Sequence, residues 1–490
     1  MLNLPVSQPT RMYREIWRRR SPEQIRELAH IKRFLECVMG DTDFRSRAIP
    51  NRDALIALAQ TRGCDIDPYD LLPLWHRDFI DEQAAMTSDR WGASFRWRTY
   101  LGEIVATRDA MLVAGDPGQK HRPFSDWRAR QIARTRSELG KNAVGIVHPI
   151  VAYELSDGCS VGCWFCGISA EKFRGHFSYD EGEALWRGVL AAMQERFGPA
   201  AGTGFCYWAT DPLDNPDYVR FLNAYREING NYPQTTTAIP LRRPDLTREV
   251  LALWESDRCV TNRFSVLSVN ILRRLHQTFT AEELIGVELV LQQSGALSTK
   301  AFAGRVRPEG TIEDLNDQMM KKARSRSTVI TEGTIACVTG FLVNMVKRTI
   351  RLVSPCRPTE AVPDGYHVFA EASFTDAHDY AAVLDRMIAE HIVNTVPADA
   401  RLAFRDDLAF ERLGRGFQLR NKHVRVKISR FGDLAEMIAS GDHTVDQLAA
   451  RCREANAEPL EALLFIDQSY RAGLLAERTR RLPIAAGAWS

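Results

Sequence analysis

Long apolar stretches and an excess of one charge are both missing from this 490-residue chain. It contains no run of about 18 consecutive apolar residues, the length that a membrane-spanning helix needs. Arg11, Arg14 and the basic run 18–20 interrupt the N-terminus, which excludes the apolar core of a signal peptide. The 64 Lys and Arg residues nearly balance the 62 Asp and Glu residues, and the net charge of +2 argues against nucleic acid as a partner. These absences predict a cytoplasmic protein that binds neither membranes nor nucleic acid.

A disulfide framework is excluded as well, because the ten cysteines are spread over a long chain and only three of them are clustered. Cys159, Cys163 and Cys166 form a CxxxCxxC pattern directly after the apolar run 146–155, which predicts a buried strand. Three thiolates on one loop can hold three irons of a 4Fe-4S cluster and leave the fourth iron open. A zinc knuckle and three buried thiols are the alternatives, although structural zinc usually takes four ligands.

The same pattern resembles the signature of the radical S-adenosylmethionine (SAM) enzymes, in which an aromatic residue precedes the last cysteine, as Phe165 does here. The resemblance implies that Cys159, Cys163 and Cys166 hold a 4Fe-4S cluster and that SAM binds the open iron. It also implies that an electron cleaves SAM to a 5′-deoxyadenosyl radical, with a flavodoxin or ferredoxin as the electron donor. Phe165 is then expected beside the cofactor.

Strand and helix signals alternate through the middle of the chain, which predicts an α/β fold. Strand-like runs at 204–209 and 287–291 are separated by helical patterns, and Ser178 with Glu181 predicts a capping box at the start of the first helix. Such wiring suits a doubly wound sheet or a full or partial barrel. By resemblance to the radical SAM enzymes, we expect a partial (β/α)6 barrel in a domain of residues 141–375.

Four polar residues at predicted strand ends are candidates for binding SAM. By the same resemblance, Thr210 and Asp211 follow the second barrel strand, where the family meets the SAM amine, but the usual glycines are missing. Arg263 and Ser265 occupy positions in the fourth strand where the family often contacts ribose or carboxylate. The alternatives are a turn-capping role for Asp211 and ordinary strand-end roles for Arg263 and Ser265.

Two further regions flank the predicted barrel domain. Residues 1–140 carry helical patterns, and the segment 20–80 resembles the nitrogen-fixation-related leader family of peptide precursors, with a generic helical appendage as the alternative. The sequence of residues 376–403 predicts a helical connector. Residues 404–490 predict a winged-helix-like α+β domain, with a half-buried strand over 417–428 followed by three helices.

The sequence of this last domain, SGDHTVDQLAAR followed by YRAGLLAE, resembles the RiPP recognition element, a small domain that binds the leaders of ribosomally made natural-product precursors (RiPPs). The resemblance implies that a ribosomal precursor peptide binds through its leader, which adds a strand to the sheet edge. A DNA-binding winged helix and a structural cap are the alternatives. The second and third predicted helices are not strongly basic, which favours peptide over DNA.

Cys356 stands alone between two prolines, Pro355 and Pro358, which restrict the local backbone. With the CxxxCxxC loop, its surroundings resemble the polytheonamide-type RiPP peptide epimerases over residues 140–375. The resemblance implies that Cys356 returns a hydrogen atom to a Cα radical made by the deoxyadenosyl radical, which converts an L- to a D-residue. A buried structural thiol is the alternative for Cys356. Cys337 is the next candidate for the donor, with a core role as its alternative.

The predicted function is therefore that of a radical SAM peptide epimerase acting on a ribosomal precursor. Many cross-linking radical SAM enzymes carry extra clusters in a second cysteine-rich segment, and this chain has none. That absence weakens a cross-linking or desaturating maturase, which stays as one alternative. A leader-binding scaffold or winged-helix regulator that merely retains a cluster is the other.

Overall fold

The computed structural model describes residues 7–257, 261–293, 295–323, 328–454 and 459–477. Its N-terminal region is helical, as the sequence predicts. Ser21 forms a capping box with Gln24, in which each main-chain N–H donates to the other side chain at 3.3 and 3.0 Å. The helices of this region are α1 (Gln8–Arg18), α2 (Pro22–Gly40), α3 (Thr42–Arg47), α4 (Arg52–Gln60), α5 (Leu72–Trp75), α6 (Gly92–Ala114) and α7 (Arg122–Leu139).

The central region alternates strands and helices, which confirms the α/β class. Its helices are α8 (Tyr179–Phe197), α9 (Tyr218–Asn229), α10 (Pro244–Asp257), α11 (Val269–Thr278), α12 (Ile312–Ala323) and α13 (Ala377–His391). Its strands are β1 (Val151–Glu154), β2 (Ser156–Asp157), β3 (Gly175–His176), β4 (Thr236–Thr237), β5 (Asn262–Val266), β6 (Val287–Leu291), β7 (Ser298–Ala301), β8 (Thr328–Thr331), β9 (Gly340–Asn344), β10 (Thr349–Pro355) and β11 (Tyr366–Ser373).

These strands form several small sheets instead of one continuous sheet. The largest has the order β1-β9-β10-β11, with β1 parallel to β9 and the last two strands antiparallel. A second sheet, β4-β5-β6, is parallel throughout. The predicted strand 204–209 is reduced to one bridge, Phe205 with Ala152 of β1. Within the described ranges, no sheet closes into a barrel.

The largest apolar core lies between the first sheet and the helices that cover it. Phe124 and Trp127 of α7 are fully buried, and the Phe124 ring stacks on Phe341 of β9 with centroids 5.9 Å apart. Tyr380 of α13 belongs to the same cluster, which runs on to Ile392. Helix α7 and the predicted connector helix α13 therefore pack as parts of the central unit, across the predicted boundaries.

The C-terminal unit has three antiparallel strands followed by three helices. The predicted single strand 417–428 is a hairpin, because the Asn421 side chain accepts hydrogen bonds from the main chain of His423 and Val424 and makes a tight turn. Residues 478–490 of the predicted domain lie outside the described residues. The elements are β12 (Ala409–Leu413), β13 (Gly416–Arg420), β14 (Arg425–Ile428), α14 (Gly432–Ser440), α15 (Val445–Glu454) and α16 (Pro459–Arg471).

Helix α7 joins this C-terminal unit to the central unit. The Arg405 guanidinium donates to Ser137 Oγ at 2.9 Å, and the Asn421 side-chain amide donates to the Ser137 carbonyl at 3.0 Å. Arg130 pairs with Glu477 at 2.8 Å. One face of α7 thus packs in the central core while polar groups on it bind the C-terminal unit.

A search of the described helices for one that is both long and apolar enough to cross a membrane finds none.

Candidate functional site

The three clustered cysteines lie on a loop beyond the carboxyl end of β1. This cysteine loop, residues 158–171, leaves the short strand β2 and returns through β3. All three thiols are free, and each of the three residues is only partly buried. The loop thus offers three sulfur atoms to a ligand from one connected segment.

Main-chain hydrogen bonds hold the start of the cysteine loop. The N–H of Cys159 donates to the carbonyl of Glu171 at 2.8 Å, which closes the loop on itself. Gly158 adopts a φ of +77°, and a Cβ there would lie 2.2 Å from the carbonyl oxygen of Lys172. Only glycine avoids both the left-handed strain and that collision.

Arg305 holds the end of the cysteine loop from outside. Its guanidinium donates to the carbonyls of Cys163, at 2.8 Å, and Ala170, while its N–H donates to the carbonyl of Cys166 at 3.0 Å. The N–H of Ala170 donates to Cys166 Sγ at 3.3 Å. Hydrogen bonds to cysteine sulfur are one way in which proteins tune iron–sulfur clusters.

Three cysteine thiols on one loop are the kind of donor set that holds an iron–sulfur cluster. Burial raises the pKa of the Cys159 thiol to about 12, with Asp211 and Asp214 adding to the shift, so iron would have to displace its proton. Among the described residues, the one set of three Cys, His, Asp or Glu ligand atoms within 4.8 Å of one another does not include the loop cysteines. A cubane cluster spreads its irons over several corners, so its thiolates can lie farther apart than the ligands of one ion.

A polar cleft of about 220 Å³ borders the cysteine loop. Its lining includes Ser169, Glu154 at the end of β1, Asn344 and Trp208. The Glu154 carboxylate accepts from the Ala209 N–H and the Asn344 side-chain amide, both at 2.9 Å, and burial raises its pKa. We did not predict Glu154, although an acidic residue at the end of an apolar run, four positions before Gly158, was a visible signal.

Asp211 lies near the cysteine loop, but its carboxylate is already fully engaged. It accepts from the Leu213 N–H at 3.1 Å, the Thr237 hydroxyl at 2.7 Å and the Ala238 N–H at 2.7 Å, and it is 4% exposed. Burial raises its pKa to about 6. This geometry is that of the turn-capping alternative, and Thr210 beside it is also buried.

The remaining predicted SAM contacts lie on different surfaces. Arg263 pairs with Glu288 of β6 at 2.8 Å, and Ser265 follows it on the same face of β5. Phe165 packs against the cluster around Val306, with the Lys300 ammonium 4.9 Å from its ring centre. Asp211 therefore lies near the cysteine loop, which carries Phe165, whereas Arg263 lines a separate cavity.

Cys356 lies at the opposite edge of the first sheet from the cysteine loop. Strand β10 runs antiparallel to β9, which is parallel to β1, so Cys356 follows the end of β10 that is level with the start of β1. A hydrogen donor for chemistry at the cysteine loop would be expected at the edge of the sheet where β1 ends. The direction of β10, which only the tertiary pairing reveals, places Cys356 at the other edge. The loop 357–365 nevertheless returns to the cysteine loop, where Ser169 Oγ donates to Asp364 at 2.6 Å.

The Cys356 thiol is buried in a polar pocket beside α7. It is 1% exposed, and its sulfur lies within 4.8 Å of ligand atoms of Glu138 and His367. Glu138 lies 3.9 Å from Arg134 and 3.8 Å from Arg405. These two cations would oppose a metal ion bound by the three residues.

Burial sets the protonation of this pocket. It raises the pKa of the Cys356 thiol to about 12, partly offset by Arg134 and reinforced by Glu138. It lowers the pKa of His367 to about 3, with Arg134 and Arg405 acting in the same direction. The pocket therefore holds a neutral thiol beside a neutral imidazole at physiological pH.

Cys337 lies in a different place, although the sequence ranked it behind Cys356 as a donor. It packs with Tyr207, Trp208 and Val368 in a small cluster on the face of the first sheet that also lines the polar cleft. Burial raises its pKa to about 12. Cys337 is thus a matched cysteine for testing the role of Cys356.

Comparisons with known proteins identify a relative. No family model matches the chain, and no solved structure matches it. A protein of Sinorhizobium fredii that carries the name "Uncharacterized protein y4wI" is 40% identical over 468 residues, which cover 95% of this chain and 90% of that protein. The chain therefore belongs to the same protein family as y4wI of Sinorhizobium fredii.

Proposed function

We propose that the protein is a radical SAM peptide epimerase that converts L- to D-amino acids in a ribosomal precursor peptide. The observation that carries the proposal is the cysteine loop, whose three free, partly buried thiols follow a buried parallel strand. A partial (β/α)6 barrel is part of the proposal, built from β1, the bridge at Phe205 and the parallel sheet β4-β5-β6. Chemistry at the carboxyl ends of parallel strands is typical of such folds.

Cys159, Cys163 and Cys166 would hold the 4Fe-4S cluster, and the polar cleft beside the loop would take the polar end of SAM. When bound, these cofactors supply a 5′-deoxyadenosyl radical that can remove a Cα hydrogen. Arg305 and the Ala170 N–H keep the loop carbonyls and Cys166 Sγ in place. A flavodoxin or ferredoxin would supply the electron.

Cys356 would supply the returning hydrogen atom. In this step its S–H bond breaks and a Cα–H bond forms, and the thiyl radical then needs one electron and one proton. A donor of hydrogen atoms must be a thiol and not a thiolate, and the raised pKa of Cys356 meets that need. Although Cys356 follows the end of β10 that lies away from the carboxyl end of β1, its N–H donates to the Gly365 carbonyl at 2.9 Å. The neighbouring Asp364 accepts from Ser169 Oγ of the cysteine loop at 2.6 Å.

The C-terminal unit would bind the leader of the precursor. Its strands precede its helices, as expected for a recognition element, and β12 and β14 are the edge strands of its sheet. Helix α16 carries three exposed leucines, Leu460, Leu463 and Leu464. An edge strand suits an extended peptide, and exposed apolar side chains suit its apolar residues.

Coexpression of the protein with a precursor peptide encoded beside it, in deuterium oxide, tests the proposal. We expect each inverted residue to gain one deuteron, because the thiol exchanges with solvent, and chiral analysis should detect D-residues. Cys356→Ala should still form 5′-deoxyadenosine but yield no inverted residue. Cys337→Ala, at the other candidate donor, should still yield inverted residues, and the reverse pattern would assign the donor role to Cys337. A product of unchanged mass in this solvent, or full epimerisation by Cys356→Ala, would reject the thiol donor.

The same experiment separates the rival functions. A cross-linking or desaturating maturase would give a product that has lost hydrogens in ordinary water. A scaffold that merely retains a cluster would give no 5′-deoxyadenosine with reductant, SAM and precursor. Either outcome would replace the epimerase assignment.

A further inference from the structure

A second and larger cavity, of about 930 Å³, has no residue of the cysteine loop in its lining. Its lining residue Thr299 adjoins Lys300, whose ammonium lies 4.9 Å from the ring centre of Phe165 in that loop. Helices α2 and α6 form one wall and strand β6 forms the other, with Arg263 and Glu288 among the lining residues. Pockets of this size hold ligands of several hundred daltons or short peptide segments. The proposed chemistry uses none of its apolar wall.

Strand β6 presents an unpaired edge to this cavity. It is the last strand of the sheet β4-β5-β6, and its ladder with β5 uses the main-chain groups of alternate residues. The Asn262 N–H donates to the Gly286 carbonyl, and the Gln292 N–H donates to the Val266 carbonyl at 2.8 Å. This register turns the N–H and C=O groups of Leu289 and Leu291 away from β5.

Those outward main-chain groups have no hydrogen-bond partner within the described residues. Leu289 itself is only 7% exposed, so its main chain is not freely hydrated at an open surface. Unpaired strand edges are templates for pairing with another chain, and buried unpaired amides are costly. An extended main chain beside β6 would supply the hydrogen-bond partners that these groups lack.

The opposite wall is apolar and solvent-accessible. Leu101 and Val105 of α6 are 42% and 43% exposed, and Leu297 is 44% exposed, although all three line the cavity. Apolar side chains around a void with an unpaired strand edge match a peptide: its main chain would pair with β6 and its apolar side chains would cover α6.

We propose that an extended, apolar segment of a peptide adds to the free edge of β6 inside this cavity. The inference rests on the proposed function, because the segment would be the part of the precursor that is to be modified. Side chains of a strand alternate between its two faces. One set would face Leu101 and Val105, and the other would lie on the side of the Arg263–Glu288 pair.

Binding of a defined probe to the full-length protein tests this inference without any turnover. The probe is a fluorescein-labelled peptide of about ten alternating valine and threonine residues, a length within the range of natural strands. Its control carries N-methyl groups on alternate amides, which removes donors and keeps the side chains. Fluorescence anisotropy reports binding, and hydrogen exchange with mass spectrometry reports protection of the amides of Leu289 and Leu291.

We expect the probe to bind and to protect segment 287–291, and the N-methylated control to lose binding. Val105→Glu and, as a second variant, Leu101→Glu should each weaken binding by about tenfold or more, about 1.4 kcal/mol. Val113→Glu is the matched control, because Val113 is 67% exposed on the same helix and does not line the cavity.

Three outcomes would overturn the inference: no binding of the probe, binding without protection of segment 287–291, or equal binding of the N-methylated peptide. Equal weakening by Val113→Glu and Val105→Glu would do the same. Failure of the epimerase proposal appears separately, as absent 5′-deoxyadenosine or absent D-residues. Each proposal can therefore fail while the other holds.

Discussion

Cys163 and Cys356 are both free thiols, but the chain surrounds them in opposite ways. Main-chain hydrogen bonds and Arg305 hold Cys163 on a partly exposed loop, where its sulfur is open to a ligand. Polar side chains from distant segments enclose Cys356, which is 1% exposed beside Glu138 and His367. A ligand site needs fixed carbonyls and accessible sulfur, whereas a hydrogen-atom donor needs a protonated thiol kept from other reactions.

The largest expected effect comes from removing the loop thiols, and it tests the contrast between Cys163 and Cys356. Changing Cys159, Cys163 or Cys166 to Ser should reduce iron after anaerobic reconstitution from about four per chain to near zero, because each removes a ligand of the proposed 4Fe-4S cluster. Iron and sulfide analysis with electron paramagnetic resonance measures this. Cys356→Ser should keep its iron, and equal loss there would contradict the division of roles.

Alkylation of the apo protein should sharpen the comparison. At about pH 8, the raised pKa of Cys356 leaves roughly one thiol in ten thousand ionised, so iodoacetamide should label it about a thousandfold more slowly than the same cysteine in the unfolded chain. Cys163 should react earlier because it is more exposed. Peptide mapping by mass spectrometry follows both sites. Equal rates in the folded protein would show that the pocket is open.

Two glycines of the cysteine loop test whether its main chain is essential. Gly158→Ala combines left-handed strain with a Cβ 2.2 Å from the Lys172 carbonyl, and we expect it to lose most reconstituted iron. Gly162 also has a left-handed φ, +65°, but a Cβ there meets no atom within 4 Å. Gly162→Ala should therefore cost only about 1–2 kcal/mol of loop stability and retain most iron. Equal losses would contradict the role of the Gly158 contact.

The smallest effect concerns acid stability of the Cys356 pocket. Because the folded pKa of His367, about 3, is below its ordinary value, the unfolded chain binds an extra proton, and stability should fall as pH decreases from about 6.5 towards 3. His367→Gln should reduce this loss of stability at low pH. The loss that remains should come in part from the buried His148, whose pKa is also lowered to about 3. Thermal unfolding at several pH values measures it.

The control for that experiment is His378→Gln, because His378 is exposed on α13. It should leave the pH dependence of the unfolding midpoint as in the wild type. A wild-type slope in His367→Gln would show that His367 is not the buried neutral imidazole.

Local signals in the sequence predicted many elements but not their partners. Thr444 and Gln447 form a capping box, with bonds of 2.9 and 3.3 Å, and its TxxQ spacing is visible in the sequence because both residues lie within one helical turn. The capping box predicted for Ser178 was wrong: Ser178 is the N-cap residue, but its side chain accepts no hydrogen bond from the first turn. Asp217, remote in sequence, accepts from the Tyr179 N–H of that turn. Leu460 lies in the third of the helices predicted for the last domain, yet it is 64% exposed.

The candidate site shows the same division between what local sequence predicts and what tertiary contacts determine. The spacing of Cys159, Cys163 and Cys166 determined that three sulfur atoms share one loop, because nearby residues cannot separate far. Asp211 lies near the cysteine loop, but Thr237 of β4 and Ala238, which follows it, occupy its carboxylate. Glu154 was missed.

The sequence by itself determined the α/β class, the helical N-terminal region, the helices of the C-terminal unit and the three-cysteine loop, because periodicity, caps and spacing act over a few residues. Only the tertiary structure decided the direction of β10, and with it the edge on which Cys356 lies. It also decided that Glu138 and His367 flank that thiol and that no strand of the described residues pairs with the outer edge of β6. Strand pairing and burial join residues tens to hundreds of positions apart, and no local pattern encodes those contacts.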